Sequence, residues 1–234
     1  MNRYTKEDAF SYTLGMSLSI ELLKCHADCV RKVILSSKAS RNMQLDQLLI
    51  SCKENQIETI YDDALIDHLS AKENCYCIAV FEKYDTELKS DRHILLHGFE
   101  DFGDLGTVLR SAVSFDFSDI ILIDSALDYF DPRCIRASMG SIFHCNLNTF
   151  KDFSAYLNQY PDHQIYPFAA DKGIELKEIQ FKKPYSLLIS QKEQELLKEF
   201  QYCYYVKHQD AEKLSISILS SVVFSEAYYQ NLKR

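Results

Sequence analysis

The sequence predicts an α/β protein in two domains, a small N-terminal unit over residues 1–84 and a larger unit over residues 93–234 built on a parallel sheet. Three observations lead there. Helical and strand-like periods alternate along almost the whole 234-residue chain. The strand-like runs of the second part, such as HILLH, DIILID and YSLLIS, are apolar throughout, the pattern of parallel strands covered on both faces. Between the parts lies DTELKSDR, residues 85–92, polar and without an apolar period, which reads as a linker.

Each element follows from its local pattern. EDAFSYTLGMSLSIELLKCH, with Phe10, Leu14, Leu18 and Leu22 on one stripe, predicts a helix, and VRKVILSS a strand. QLDQLLISCKENQ is a helix, IETIY a strand, DDALIDHLSAK a helix begun by an Asp cap, and YCIAVFEKY a strand. After the linker come the strand HILLHG, the helix DLGTVLRSA with Asp104 as its candidate cap, the strand DIILID and the short helix PRCIRASMG. The strand IFHCNL, the helix FKDFSAYLNQY and the strands QIYPFAA and YSLLIS follow. The helix EQELLKEF, the strand CYYVKH and a closing helix over residues 211–234 complete the chain.

Composition limits the function. With 47% apolar residues the chain buries a sizeable core, and no segment approaches the roughly 18 apolar residues a membrane span needs. No basic stretch followed by an apolar run opens the sequence, so a cytoplasmic chain without a membrane partner is expected. Its eight cysteines lie mostly in apolar runs, where reduced thiols pack as small hydrophobes. No paired Cys-x-x-Cys set is present, so no metal is expected, CHADC and CYC notwithstanding. The net charge of −8 means that contacts to nucleic acid must come from local basic clusters. RKVILSSKASR supplies one, with Arg31, Lys32, Lys38 and Arg41; a solvated strand end is the plainer reading of the same residues.

In a parallel sheet, ligands bind beyond the carboxyl ends of the strands. The turn HGFEDFGDLG carries three of the six glycines, Gly98, Gly103 and Gly106, where backbone can turn sharply or approach a ligand. Arg110, one turn into the following helix, reads either as a solvated arginine or as a functional one.

The segment HGFEDFGDLGTVLRSAVSFDFSDIILID resembles the first motif of the SpoU-type, TrmH-like RNA ribose methyltransferases of the SPOUT superfamily, strand, then Asn-x-Gly-x-x-x-Arg-x-Ala on a helix, then strand. Gly106, Arg110 and Ala112 match, and Asp104 stands in place of Asn. PRCIRASMGSIFHCNL is similar to the next segment through Arg136, Ser138, Gly140 and Phe143. EKLSISILSSVVFSEA is similar to the last motif through Leu214 and Ser217, with Ser215 in the Asn position. The first 84 residues resemble the ribosomal-protein-like RNA-binding domain that many members carry, through Gly15, VRKVILS and CIAVFEKY.

The resemblance implies a trefoil-knotted methyltransferase domain, a homodimer paired through its last helix, and methyl transfer from S-adenosylmethionine to a ribose 2′-hydroxyl of rRNA or tRNA. It implies catalytic roles for Arg110, Asp104, Ser217 and Ser215, with Arg110 gripping phosphate or polarising the hydroxyl and Asp104 orienting that guanidinium or accepting the proton. Cofactor contacts are implied for Ser190, Gln191, Lys192, Glu193, Val206, Lys207, His208 and Leu214, and RNA contacts for Arg31, Lys32, Lys38, Arg41, Arg136 and Ser138. The family's Gly-x-Glu-x-x-Gly loop is here SQKEQEL, residues 190–196, with no glycine, and no glycine follows Gly173. A catalytically silent homologue that binds RNA or a partner therefore stands as the alternative. His93, His97 and His144 read as packed or capping groups, and Tyr202, Tyr204 and Tyr205 as sheet packing.

Overall fold

Strand formation begins earlier than the apolar stripe predicts. In the computed structural model, which describes residues 3–70, 74–168, 173–209 and 214–232, Phe10–Tyr12 form strand β1, and helix α1 spans only Met16–His26. The reason is Gly15, whose φ of +125° breaks any helix running through it. Ser11 and Tyr12 are buried in the strand, and the Thr13 and Ser19 hydroxyls bond at 2.7 Å across the turn. The chain continues through β2 (Val30–Leu35), α2 (Met43–Glu54), β3 (Glu58–Tyr61), α3 (Asp63–Leu69) and β4 (Cys77–Glu82). Asn42 caps α2, and the expected Asp62 caps α3 by accepting from the Leu65 amide at 2.9 Å. These strands form one mixed sheet, ordered β1-β4-β2-β3, in which β2 and β3 run parallel and the other pairs antiparallel.

Next come β5 (Arg92–His97), α4 (Phe102–Ser114), β6 (Asp119–Ile123), α5 (Pro132–Ala137), β7 (Asn146–Phe150) and α6 (Phe153–Gln159). They are followed by β8 (Gln164–Phe168), β9 (Ile174–Glu175), β10 (Tyr185–Ser190), α7 (Glu193–Glu199), β11 (Tyr204–Tyr205) and α8 (Ile216–Leu232). A seven-stranded sheet runs β7-β6-β5-β10-β8-β11-β9 with every pair parallel, as the unbroken apolar runs predict. β10 coincides with the expected YSLLIS and all six of its residues are buried.

Three expectations are corrected. The stretch expected as strand IFHCNL is a 3₁₀ turn over Ser141–His144, and the strand starts two residues later, where Asn146 pairs with Asp119. The described part of the closing helix begins at Ile216, with residues 211–213 and 233–234 of the expected helix outside the described residues. α4 is capped by Asp101, which accepts from the Asp104 amide at 2.9 Å, so Asp104 sits in the first turn with its carboxylate free for other partners.

The chain divides into two compact units, one formed by Met1–Tyr84 with Asp128–His144 and the other by Asp85–Leu127 with Cys145–Arg234. In the first, Tyr12, Ile34, Ile66, Leu69, Ile78 and Val80 make an apolar cluster between sheet and helix. In the second, one face of the sheet packs Leu95, Ile121, Ile123 and Leu188 against Phe150, Phe153, Tyr156 and Leu196. Leu105, Val108, Leu109 and Ala112 line the buried side of α4, each side chain of Leu size contributing about 1.5–3 kcal/mol by leaving water. Among the described residues no helix is long and apolar enough to cross a membrane.

Candidate active site at the carboxyl ends of the parallel strands

The candidate site assembles from three segments of the second unit: the first turn of α4, the loop after β10 and the start of α8. Asp104 is the hub. One carboxylate oxygen accepts from Gln191 Nε2 at 2.9 Å and the other from Ser217 Oγ at 3.3 Å. Gln191 is itself held, its amide donating to His97 O at 3.1 Å and its side-chain oxygen accepting from the Glu100 amide at 3.3 Å. Two turns further along α4 and one turn further along α8, Ser111 Oγ and Ser221 Oγ lie 2.8 Å apart, locking α4 to α8. Ser215 caps α8, its hydroxyl accepting from the Ile218 amide at 3.4 Å. Sequence positions spread over more than a hundred residues, Asp104, Gln191 and Ser217, thus form one hydrogen-bonded group.

Arg110 does not join it. At 100° per residue it sits about 120° around α4 from Asp104, and its side chain is exposed. Among the described residues the guanidinium makes no hydrogen bond or ion pair, so Asp104 does not orient it; the carboxylate is engaged by Gln191 and Ser217 instead.

Beside this group, the ends of β5, β6 and β10 hold a second polar cluster. His97, nearly fully buried, bonds Ser190 Oγ at 2.9 Å through Nδ1, and Ser190 Oγ also accepts from the Lys192 amide at 3.0 Å. Burial pushes the His97 pKa down. Lys192 Nζ bonds Asp124 at 2.8 Å and lies 3.7 Å from Glu195. That pairing raises the lysine pKa and lowers that of Asp124. The lysine stem crosses Gly98, whose φ is +67°; a Cβ there would lie 2.6 Å from Lys192 Cγ. A cavity of about 360 Å³ adjoins, lined by His97, Asp124, Lys151, Asp152, Glu195 and Lys198. Sequence reasoning set His97 aside as packing and did not single out Asp124. The available signal was position, since both close apolar parallel strands at their carboxyl ends.

Of the other residues with implied cofactor contacts, Glu193 opens α7, while Val206, Lys207 and His208 follow β11 and Leu214 precedes α8. His208 Nδ1 is buried and has no hydrogen-bond partner among the described residues. A buried polar atom left unpaired costs about 1–3 kcal/mol, a cost that a hydrogen bond from any polar group would relieve. Gly173 contributes a close approach: with φ at +135°, a Cβ would fall 1.8 Å from the Cys203 carbonyl oxygen.

The residues expected to contact RNA lie in the first unit. Arg31 pairs with Glu82, and Arg41 with Asp46 at 3.2 Å, both on exposed surface. Lys32 is half-buried on β2 and Lys38 exposed after it. Arg136 lines a groove of about 400 Å³ with Arg3, Tyr4, Tyr12, Leu69 and Arg133. Ser138 is corrected: it is fully buried and its hydroxyl donates to the Ile135 carbonyl at 2.9 Å, which leaves nothing for RNA to reach.

Residues 91–199, which include α4, the 190–196 loop and six of the seven parallel strands in full, match the model of the SpoU rRNA Methylase family. Over this span the chain is similar to the SpoU family. It is similar to the 23S rRNA (guanosine(2553)-2′-O)-methyltransferase RlmP of Bacillus subtilis, 24% identical over 153 residues that cover 62% of this chain and 61% of RlmP. The chain therefore spans less than two thirds of that relative's length. Among solved structures it resembles an rRNA methyltransferase from Sinorhizobium meliloti, with a TM-score of 0.78, 19% identity and coverage of 95% of this chain and 88% of that one. It also resembles the SpoU methyltransferase AviRb from Streptomyces viridochromogenes in complex with AdoMet, with a TM-score of 0.80, 17% identity and coverage of 96% and 91%. The α/β fold of this chain is thus shared with methyltransferases.

Proposed function

We propose that this chain is an S-adenosylmethionine-dependent methyltransferase acting on a ribose 2′-hydroxyl of rRNA or tRNA. The observation that carries the reading is the Asp104–Gln191–Ser217 group, which joins the first and last family motifs at the carboxyl ends of a parallel sheet. The relatives' names support the reaction class.

The residues fit the cofactor. The unpaired buried Nδ1 of His208 offers a hydrogen bond to an adenine edge, and Ser190, Gln191, Lys192, Glu193, Val206, Lys207 and Leu214 come from the segments that would flank it. When bound, S-adenosylmethionine supplies an electrophilic methyl group. The chain's own residues hold and deprotonate the nucleophile. Ser217 donates its hydrogen to Asp104, which keeps the serine lone pairs open to a ribose hydroxyl, and Asp104 accepts the proton as the hydroxyl oxygen attacks. Gln191 and the Asp101 cap fix the Asp104 carboxylate and backbone, so that little reorganisation is needed in the transition state. Arg110, permanently charged, grips the phosphate of the target nucleotide.

Residues 1–84 serve as the RNA-binding-like domain, with residues 85–92 connecting to the methyltransferase domain of residues 93–234. The chain acts in the cytoplasm. The strand order, with β10 seated between β5 and β8, supports a trefoil knot in the second domain. α8 leaves Ile218, Val222, Tyr229 and Leu232 exposed at helical spacing, which supports a homodimer through that face.

Methyl transfer from labelled S-adenosylmethionine to total rRNA and tRNA tests the proposal. Incorporation at a 2′-O position, reduced at least about a hundredfold by Arg110→Ala, is the expected result. Activity undiminished in Arg110→Ala removes the assigned role. No binding by calorimetry at millimolar S-adenosylmethionine overturns the enzyme reading in favour of the silent homologue.

A further inference from the structure

Away from the site above, three side chains with different chemistry converge on one face of α1. Glu21 and Cys25 stand four residues apart, one helical turn, and so share that face. The 3₁₀ turn Ser141–His144 brings His144 against them. His144 Nε2 lies 2.8 Å from Glu21 Oε1 and 3.7 Å from Cys25 Sγ, and one donor atom from each residue lies within 4.8 Å of the other two. The approach is built into the backbone: Gly140 has φ of +85°, and a Cβ there would press on Glu21 at 3.3 Å. Seven of the eight cysteines are buried, and Cys25 alone has solvent access.

From this convergence we propose that Glu21, Cys25 and His144 form a binding site for a thiophilic divalent metal ion, zinc in the first instance. A carboxylate, a thiolate and an imidazole are the zinc donor types, and tetrahedral coordination separates donors by about 3.3–3.6 Å at the usual bond lengths. The observed separations need side-chain adjustments of the order of 1 Å. Three protein donors leave the fourth position to water. Binding releases the Cys25 thiol proton to solvent and replaces the Glu21 contacts to His144 and Lys24 with metal bonds. Local spacing in the sequence gives no sign of the site, because His144 lies 119 residues from Cys25. Within the first unit the ion would fasten the segment before Cys145 to α1.

Cobalt(II) titration of the chelator-stripped full chain is the test, with zinc competition to rank affinities. One equivalent of cobalt giving a thiolate-to-metal charge-transfer band, displaced by zinc, is expected. Cys25→Ser and His144→Ala should each lose the band and weaken zinc binding by more than the roughly 10–100-fold seen when only an outer partner is removed. A band that persists in Cys25→Ser, or no band in the wild-type chain, overturns the proposal. An independent measurement uses the unmodified chain: zinc should slow alkylation of Cys25, located by peptide mass spectrometry, and an unchanged rate overturns the assignment.

Discussion

Acidification to pH 5 should destabilise this protein through His93. The ring is 1% exposed, stacks on His163 at 4.1 Å between ring centres and bonds Tyr156 OH at 2.8 Å, which in turn bonds Ser186 at 2.6 Å. Burial, reinforced by the charge His163 would carry, lowers the His93 pKa from 6.5 to about 4. The unfolded chain therefore binds the proton first as pH falls. Stability from the neutral ring is present in full above about pH 6.5 and is lost progressively towards pH 4. A displacement of about 2.5 pH units corresponds to about 3 kcal/mol in total, of which about 2 kcal/mol is lost by pH 5. At urea slopes of about 2–3 kcal/mol/M the midpoint falls by roughly 1 M. Burial also lowers His97 and His163, adding slope of the same sign. Asp63 and Asp124, held below the usual carboxylate range by their hydrogen bonds, lose their contribution only below about pH 4. Urea unfolding followed by tyrosine fluorescence from pH 7.5 to 4.5, in the wild-type chain and in His93→Asn, isolates the His93 share. Equal losses in the two proteins between pH 6.5 and 5 would refute the reasoning.

Three further outcomes are expected. Asp104→Asn leaves one acceptor oxygen for the two donors Gln191 and Ser217; methyl transfer should fall by about tenfold to a hundredfold in kcat, and an unchanged kcat would show that the carboxylate takes no proton. Gly173→Ala forces a Cβ within 1.8 Å of the Cys203 carbonyl at φ of +135°, so thermal melting should show destabilisation of at least about 3 kcal/mol. Gly140→Ala meets a softer neighbour, the flexible Glu21 side chain at 3.3 Å, and a positive φ, for an expected loss of about 1–2 kcal/mol by the same measurement.

How much was legible in the sequence depends on where the controlling force sits. β10 could be read residue for residue because a buried parallel strand writes its burial into an unbroken apolar run. β1 could not, since three residues leave too short a period, and Phe10 happens to fall in phase with Leu14, Leu18 and Leu22. The two aspartates of EDFGD compete for the cap of α4, and which one wins is a matter of backbone geometry; Asp101 does, and Asp104 gains its role in the site as a result. Candidate site residues were nameable from motifs, but their hydrogen-bond partners were not. The carboxylate expected to face Arg110 faces Gln191 and Ser217, because the fold chooses the neighbour across more than eighty residues of chain. Ser138 shows the converse, a motif position that serves the backbone of its own turn.

The polar stretch after Tyr84 behaves unlike a slack tether. Thr86 exchanges hydrogen bonds with both backbone groups of Leu147, and the amides of Lys89 and Ser90 donate to the fully buried carboxylate of Asp119, which Asn146 also reaches at 2.6 Å. Its charged composition advertises an easy place to nick or to insert a tag, yet a protease or an engineer working between residues 86 and 90 would have to pull those amides off a carboxylate that has no water to turn to.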